Sequence, residues 1–397
     1  MIASKLTSLL IILQLLSIFK TLPLNTTLFQ ETTISSFQTF EFLAIGDWGS
    51  GSADQKMVAS AMKFFSDRNN NSNPQFVVGL GDNFYESGVT DVDDSKFKTV
   101  WTDVYNGSLM QLPWYLVNGN HDWRGNTDAQ IKYTSISNNW NLPDYFYDLE
   151  VYVGNGLTAA FIFIETNLIF GGIKYEGEPS MRKLGWGEAD YAQTQLNWIE
   201  DRLRKHYTKD YIILVGHHPV NICLNGMGNA TTINKLVDLQ RKYRISAYIN
   251  GHTHNLAYSV IQNIAYVITG SGGKADPEKL RCMEGDFSKG GFGFVRGLID
   301  QTGLHFEYRN ENNTLLYTSA PVKKRAHLVP LHLLDKIYHI IDDFNSKKNI
   351  NFFGSNRHRE FIYLFVLGTT LILSPFLFFV GVFSIRFVVK KCFKKML

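Results

Sequence analysis

Cysteine is scarce in this chain, three in 397 residues, and no two stand in a Cys-x-x-Cys pair. A zinc site of that type is therefore excluded. Cys392 lies near the C-terminus. Cys223 and Cys282 share the central body, either as one disulfide or as two thiols, because spacing alone does not bring two backbones together. Charge is also thin, at 19% of residues against 45% hydrophobic, which favours a packed core over disorder. The net charge of +3 is smaller than the seven cations at the two ends: Lys5, Lys20, Arg386, Lys390, Lys391, Lys394 and Lys395. The body is thus slightly acidic, and nothing in it suggests a nucleic-acid partner. There is no internal repeat and no low-complexity tract beyond the short Asn-rich stretch Asn69–Asn73.

What is present divides the chain. Lys5 precedes the apolar stretch Leu6–Phe19, so residues 1–24 read as a secretory signal, cut somewhere within Ile18–Glu31. A first membrane helix is the alternative. Phe361–Phe383 carries no charge and is long enough to cross a bilayer. The basic tail, residues 384–397, then belongs on the cytoplasmic side and the body, residues 38–322, in the lumen or outside. A basic stalk, residues 323–360, joins the two. Within it Leu333, Leu334, Ile337, Ile340, Ile341 and Phe344 recur at helical spacing. They fit a helix docked on the body or one lying on the membrane. Sequons begin at Asn25, Asn70, Asn106, Asn229 and Asn312. The terminal KKML also fits a dilysine retrieval signal of the endoplasmic reticulum.

Six short β-rich runs end in polar, glycine-rich stretches. Phe40–Ile45 leads into GDWGSG, Phe76–Leu80 into GDNFY and Trp114–Val117 into NGNHDW. Tyr211–Val215 leads into GHHP, Ala247–Ile249 into NGHTHN and Ala265–Thr269 into GSGGK. Helical patterns lie between them at Asp54–Phe65, Ala192–Arg204 and Thr232–Tyr243. Such alternation predicts a layered α/β or mixed fold with its working loops at the carboxyl ends of strands. Asp47, Asp82, Tyr85, Asn120, His217, His252 and His254 all fall in these loops. Oxygen-rich sets with some imidazole suit hard or borderline first-row ions. Seven donors are too many for one tetrahedral zinc. They suit two adjacent six-coordinate ions sharing one carboxylate.

The ordered set GDWG, GDNFY, GNHD, GHHP and GHTHN resembles that of the purple acid phosphatases of the metallophosphoesterase superfamily, from about Phe40 to Tyr317. The resemblance implies an α/β sandwich of two mixed β-sheets flanked by helices, followed here by one C-terminal transmembrane helix. It implies Asp47, Tyr85 and His254 as ligands of Fe(III). Asn120, His217 and His252 would hold a divalent partner (Fe, Zn or Mn), and Asp82 would bridge the two. A phenolate such as Tyr85 is a hard donor suited to a ferric ion. The activity implied is hydrolysis of phosphate monoesters at acidic pH, with His121 pointing at the phosphate and Asp122 orienting it.

One feature departs from that pattern. Mammalian-type members carry a further histidine a few residues past a GHYP motif; here Gly226 falls near that place and His218 replaces the tyrosine. Either His218 serves as a second acid, or protonation of the leaving group is weaker. The order of segments also resembles the apicomplexan glideosome-associated membrane anchor proteins, and "DDSKFKTVWTDVY" and "FIFIETN" look like segments of that subgroup. This second resemblance implies a type I single-pass protein of the inner membrane complex, beside the endoplasmic reticulum that the dilysine pattern fits and the cell surface that the signal and span allow. Its cytoplasmic tail would meet a myosin motor or light-chain complex, with or without phosphatase activity.

Overall fold

The continuous apolar strand Tyr211–Val215 offers no face to water, so both its sides must be covered. The computed structural model describes residues 39–67, 72–170, 188–223, 230–275 and 286–326. In these residues fourteen strands form two seven-stranded sheets. In chain order they are β1 (Phe40–Ile45), β2 (Pro74–Leu80), β3 (Trp114–Val117), β4 (Trp140–Asn141), β5 (Tyr147–Gly154), β6 (Leu157–Phe163) and β7 (Tyr211–Val215). There follow β8 (Ala247–Asn250), β9 (Leu256–Ile261), β10 (Ile264–Thr269), β11 (Phe287–Lys289), β12 (Gly293–Asp300), β13 (Gly303–Asn310) and β14 (Leu315–Thr318). The first sheet runs β14-β13-β12-β1-β2-β3-β4 and the second β11-β9-β10-β8-β7-β6-β5. The inner strands β1 to β4 are parallel, as are β6, β7, β8 and β10, while the remaining strands join antiparallel. This is the expected pair of mixed sheets.

The sheets meet over a phenylalanine-rich layer. Phe161 of β6 packs edge-to-face on Phe42 of β1 and Phe76 of β2, both with centroids at 5.2 Å. The outer face of the first sheet is covered by α1 (Ala53–Ser66) and by a nest of fully buried indoles, Trp48, Trp101, Trp114 and Trp140. The high aromatic content is therefore spent on packing. Ser52 caps α1 by accepting the Gln55 amide, and Asp54 and Lys63 complement its dipole at either end. Four further helices matter below: α2 (Thr127–Tyr133), α3 (Thr166–Phe170), α4 (Glu188–Lys205) and α5 (Ala230–Lys242).

The expected signal segment, most of the stalk, the membrane span and the tail lie outside the described residues. Among the described residues no helix is long and apolar enough to cross a membrane. The docked chain runs past Val322. Val322 pairs with Leu304, and Arg325 donates to the carbonyls of Tyr207, Lys209, Tyr243 and Arg244 at 2.8–3.0 Å. The first residues of the expected stalk thus belong to the body. Cys223 is disulfide-bonded, with its partner outside the described residues. Asn106 and Asn312, two of the sequon asparagines, are exposed.

Candidate dinuclear metal centre

The loops that follow β1, β2 and β3 of one sheet converge with those that follow β7 and β8 of the other. Backbone bonds stitch them together: Asp47 N to Gly81 O at 3.1 Å, Tyr85 N to Gly49 O at 2.9 Å, Gly251 N to His217 O at 3.0 Å. Approach this close needs glycine. A Cβ on Gly119 would strike the amide and carboxylate of Asp82, and one on Gly251 would strike Oδ2 of Asp47. Four of the side chains delivered here, Asp47, Asp82, His252 and His254, sit at φ of +54°, +51°, +75° and +52°. Left-handed backbone at non-glycine residues costs free energy and gathers where geometry serves function.

All seven expected ligands come together. Tyr85 Oη lies 3.1 Å from Asp47 Oδ1 and 3.2 Å from His254 Nε2. His217 Nε2 and His252 Nδ1 each lie 3.0 Å from Asn120 Oδ1, and 3.2 Å from one another. Asp82 stands between the two groups. Its oxygens are within 4.8 Å of donor atoms of Asp47 and His254, and Oδ1 is 3.5 Å from His217 Nε2.

The donor chemistry fits metal ions. His217 Nδ1 lies 2.7 Å from the Leu80 carbonyl, which can only accept, so Nδ1 holds the proton and Nε2 presents a lone pair. That lone pair faces the Asn120 carbonyl oxygen and the second ring nitrogen, and at most one proton, on His252 Nδ1, separates the three. A cation among them turns repulsion into coordination. A backbone carbonyl that fixes the tautomer of a ligating histidine is a common device of metal sites.

The carboxylates point the same way. Burial, then the nearby Asp47 charge, push the Asp82 pKa up to about 7. Burial works to raise Asp47 as well, but the His254 hydrogen bond and the charges of His217, His254 and His252 hold it below the ordinary range. Burial, then Asp47 and Asp82, keep the Tyr85 phenol protonated well above its usual pKa.

His121 Nδ1 lies 2.7 Å from the Glu86 carbonyl and 3.0 Å from Arg124 Nη1, and its Nε2 lies on the side of Asp82, at 3.9 Å. It therefore faces the centre, as the resemblance implies. Asp122 differs from expectation. Its carboxylate turns away from His121 and accepts the amides of Gly119, Asn83 and Phe84 at 2.7, 3.0 and 3.2 Å, plus Gln130 Nε2 of α2 at 2.9 Å. The reason is local: Asp122 begins a 3-10 turn, which points it into the core while His121 stays at the rim. Asp122 braces the loops after β2 and β3, and none of these bonds reaches the imidazole. His218 is buried beside His217 and His252. Burial, then the neighbouring His252 and His217, hold its pKa well below the usual imidazole value.

Three contributors escaped the sequence reading. Glu165 and Thr166 follow β6, within the FIFIETN segment. Glu165 is fully buried, accepts Trp123 Nε1 at 2.9 Å, and burial pushes its pKa up to about 8. Lys274, in the GSGGK stretch, pairs with Glu86 and lies 4.6 Å from the centroid of the Tyr85 ring. A second carboxylate–imidazole cluster, Asp148, Glu150 and His206, is already neutralised by Lys205, Lys209 and Arg202.

The raised carboxyls make a pH prediction for the metal-free protein. Asp82, Asp122 (burial and the Asp82 charge, about 7) and Glu165 hold protons in the folded state that the unfolded chain has released. Their stabilising effect is present at low pH and is lost as pH climbs through about 7 to 8. Below pH 6.5 the lowered pKa values of His217 and His218 pull the other way. In chelator, the urea midpoint is expected to fall between pH 6.5 and about 8. A rising midpoint over that window would contradict the assignment.

The fold and this cluster define a phosphoesterase class. A family model for calcineurin-like phosphoesterases matches residues 40–256, and the chain belongs to that family. Within it, tartrate-resistant acid phosphatase type 5 of Rattus norvegicus is 33% identical over 315 residues, 72% of this chain and 92% of that protein. Purple acid phosphatase 7 of Arabidopsis thaliana is 28% identical over 304 residues, 73% of this chain and 88% of that one. Among solved structures, GAP50, the anchor in the inner membrane complex of Plasmodium, superposes with a TM-score of 0.63 at 23% identity, over 76% of this chain and 94% of its own. That likeness is one of fold.

Proposed function

We propose that this chain is an acid phosphatase of the purple type, hydrolysing phosphate monoesters at a dinuclear Fe(III)–M(II) centre in which M is Fe, Zn or Mn. Asp47, Tyr85 and His254 would hold the ferric ion, Asn120, His217 and His252 the divalent ion, and Asp82 would bridge them. The observation that carries this reading is the meeting of His217 Nε2, Asn120 Oδ1 and His252 Nδ1, with at most one proton among them, beside the Asp47–Asp82 pair. When bound, two cations supply an activated water and a clamp on phosphate oxygens for in-line displacement.

The chain's own groups do the rest. The deep placement of Asp47 and Asp82 keeps bulk water from competing for their charge. The Tyr85 phenol gives up its proton only where positive charge offsets those two carboxylates. His121, with Nδ1 tied to the Glu86 carbonyl and a side chain 14% exposed, has Nε2 placed to hand a proton to a departing alkoxide. Purified protein loaded with iron and zinc should show a visible tyrosinate band and hydrolyse a simple aryl phosphate at acidic pH. A folded, colourless protein without turnover would remove the reading.

A second reading rests on the likeness in fold to GAP50 and on the apolar run 361–383 with its basic tail. In it the chain is a single-pass membrane anchor whose tail meets a myosin motor complex, with the body in the lumen or outside. Capture of motor components by the intact tail, and their loss when residues 384–397 are removed, would support it. Capture of none would not.

A further inference from the structure

The hydrogen bonds around His218 fix which of its ring nitrogens carries a proton. Thr166 Oγ1 accepts the backbone amides of His217 at 3.2 Å and His218 at 3.0 Å. A hydroxyl has two lone pairs and one hydrogen. With both lone pairs engaged, its O–H is left to donate to His218 Nδ1, 2.8 Å away. Nδ1 is therefore an acceptor, and the proton of the neutral ring sits on Nε2. The ring stacks on Phe170 of α3 at 4.9 Å, and Tyr248 Oη holds the His218 carbonyl at 2.7 Å. No described protein group bonds Nε2.

The ring lies beside the half of the centre built from His217 and His252. Its centroid is 4.9 Å from the first and 4.4 Å from the second, and one of its nitrogens is within 4.8 Å of donor atoms on both. Three imidazoles so close suggest a three-nitrogen metal site, but the Thr166 junction opposes that. Ligation through Nε2 would move the proton to Nδ1, against a hydroxyl oxygen with no lone pair left.

We propose that His218 is a fixed, neutral N–H donor to an oxygen of the phosphate held at the metal pair. This rests on the phosphatase reading and adds a binding group to it. A neutral donor recognises the oxyanion but does not protonate the leaving group, so its loss acts on binding and not on leaving-group chemistry.

The test compares the metal-loaded full chain with its His218→Leu and His218→Gln variants. Inorganic phosphate binding is measured by calorimetry, and turnover is measured with aryl phosphates of good and poor leaving groups. Leu is expected to weaken phosphate binding and raise KM by about 3- to 10-fold, the worth of one neutral hydrogen bond, with two metal ions retained. Gln, which keeps a donor, should recover part of that loss. The change in kcat should be the same for good and poor leaving groups. Loss of a metal ion in both variants would make His218 a ligand and overturn the proposal. A kcat defect that grows as the leaving group worsens would make it an acid and overturn it equally. Unchanged phosphate affinity in Leu would do so too. Wild-type protein that takes up no metal pair would instead bring down the phosphatase reading itself. Nitrogen-15 spectra of the metal-free chain give an independent check: a proton on Nε2 is expected, and one on Nδ1 refutes the proposal.

Discussion

Asp82→Asn is expected to lower kcat/KM on an aryl phosphate by at least about 100-fold and to reduce the bound metal below two ions per chain. Residues that merely support a ligand cost about 10- to 100-fold when lost, and Asp82 stands where both groups of donors meet. The substitution is nearly isosteric. Its carbonyl can still accept the His121 amide, which now bonds Oδ1 at 2.8 Å, so the fold should survive. The metal-free variant should even gain stability at neutral pH, because the buried Asp82 charge that opposes Asp47 is gone. Activity, metal analysis and thermal melting on one preparation separate these effects. A variant within a few-fold of wild type would show that Asp82 does not bridge anything.

Asp122→Ala is expected to cost about 3–5 kcal/mol of stability, because it strips a buried carboxyl from three backbone amides and a glutamine and leaves them without partners. Metal affinity should drop with it, since the same carboxyl sets the spacing between the Asp82 and Asn120 loops. Asp122→Asn should be much milder: burial already favours the uncharged carboxyl, with the pKa pushed up to about 7. Urea unfolding in chelator measures the first effect and metal titration the second. A loss under about 1 kcal/mol for Ala, with activity abolished, would return Asp122 to the role of partner to His121.

Asp122 also shows where the sequence is legible and where it is not. The six strand runs and three helices expected from periodicity all form, β1, β3 and β7 with the same bounds. The seven ligand candidates meet because each follows a buried parallel strand, and parallel strands deliver their loops to one edge. The antiparallel flank, β5, β9 and β11 to β14, follows from the family resemblance but does not show in the periodicity. Its strands carry polar residues such as Glu150, Arg296 and Glu307 that interrupt the apolar runs. Arg296 makes sense only once Glu41 and Glu307 face it across the sheet, at 2.6 and 3.2 Å. The direction of Asp122 depends on a single 3-10 turn, and adjacency to His121 carries no information about it. The tautomer of His218 depends on Thr166, 52 positions away.

The central claim is a pair of ions bridged by Asp82, and anomalous scattering reads it most directly. Crystals grown with iron and zinc, measured at both absorption edges, should show two peaks flanking the Asp82 carboxylate, one beside Tyr85 and one beside Asn120. A single peak, or none with these side chains otherwise in place, would contradict it.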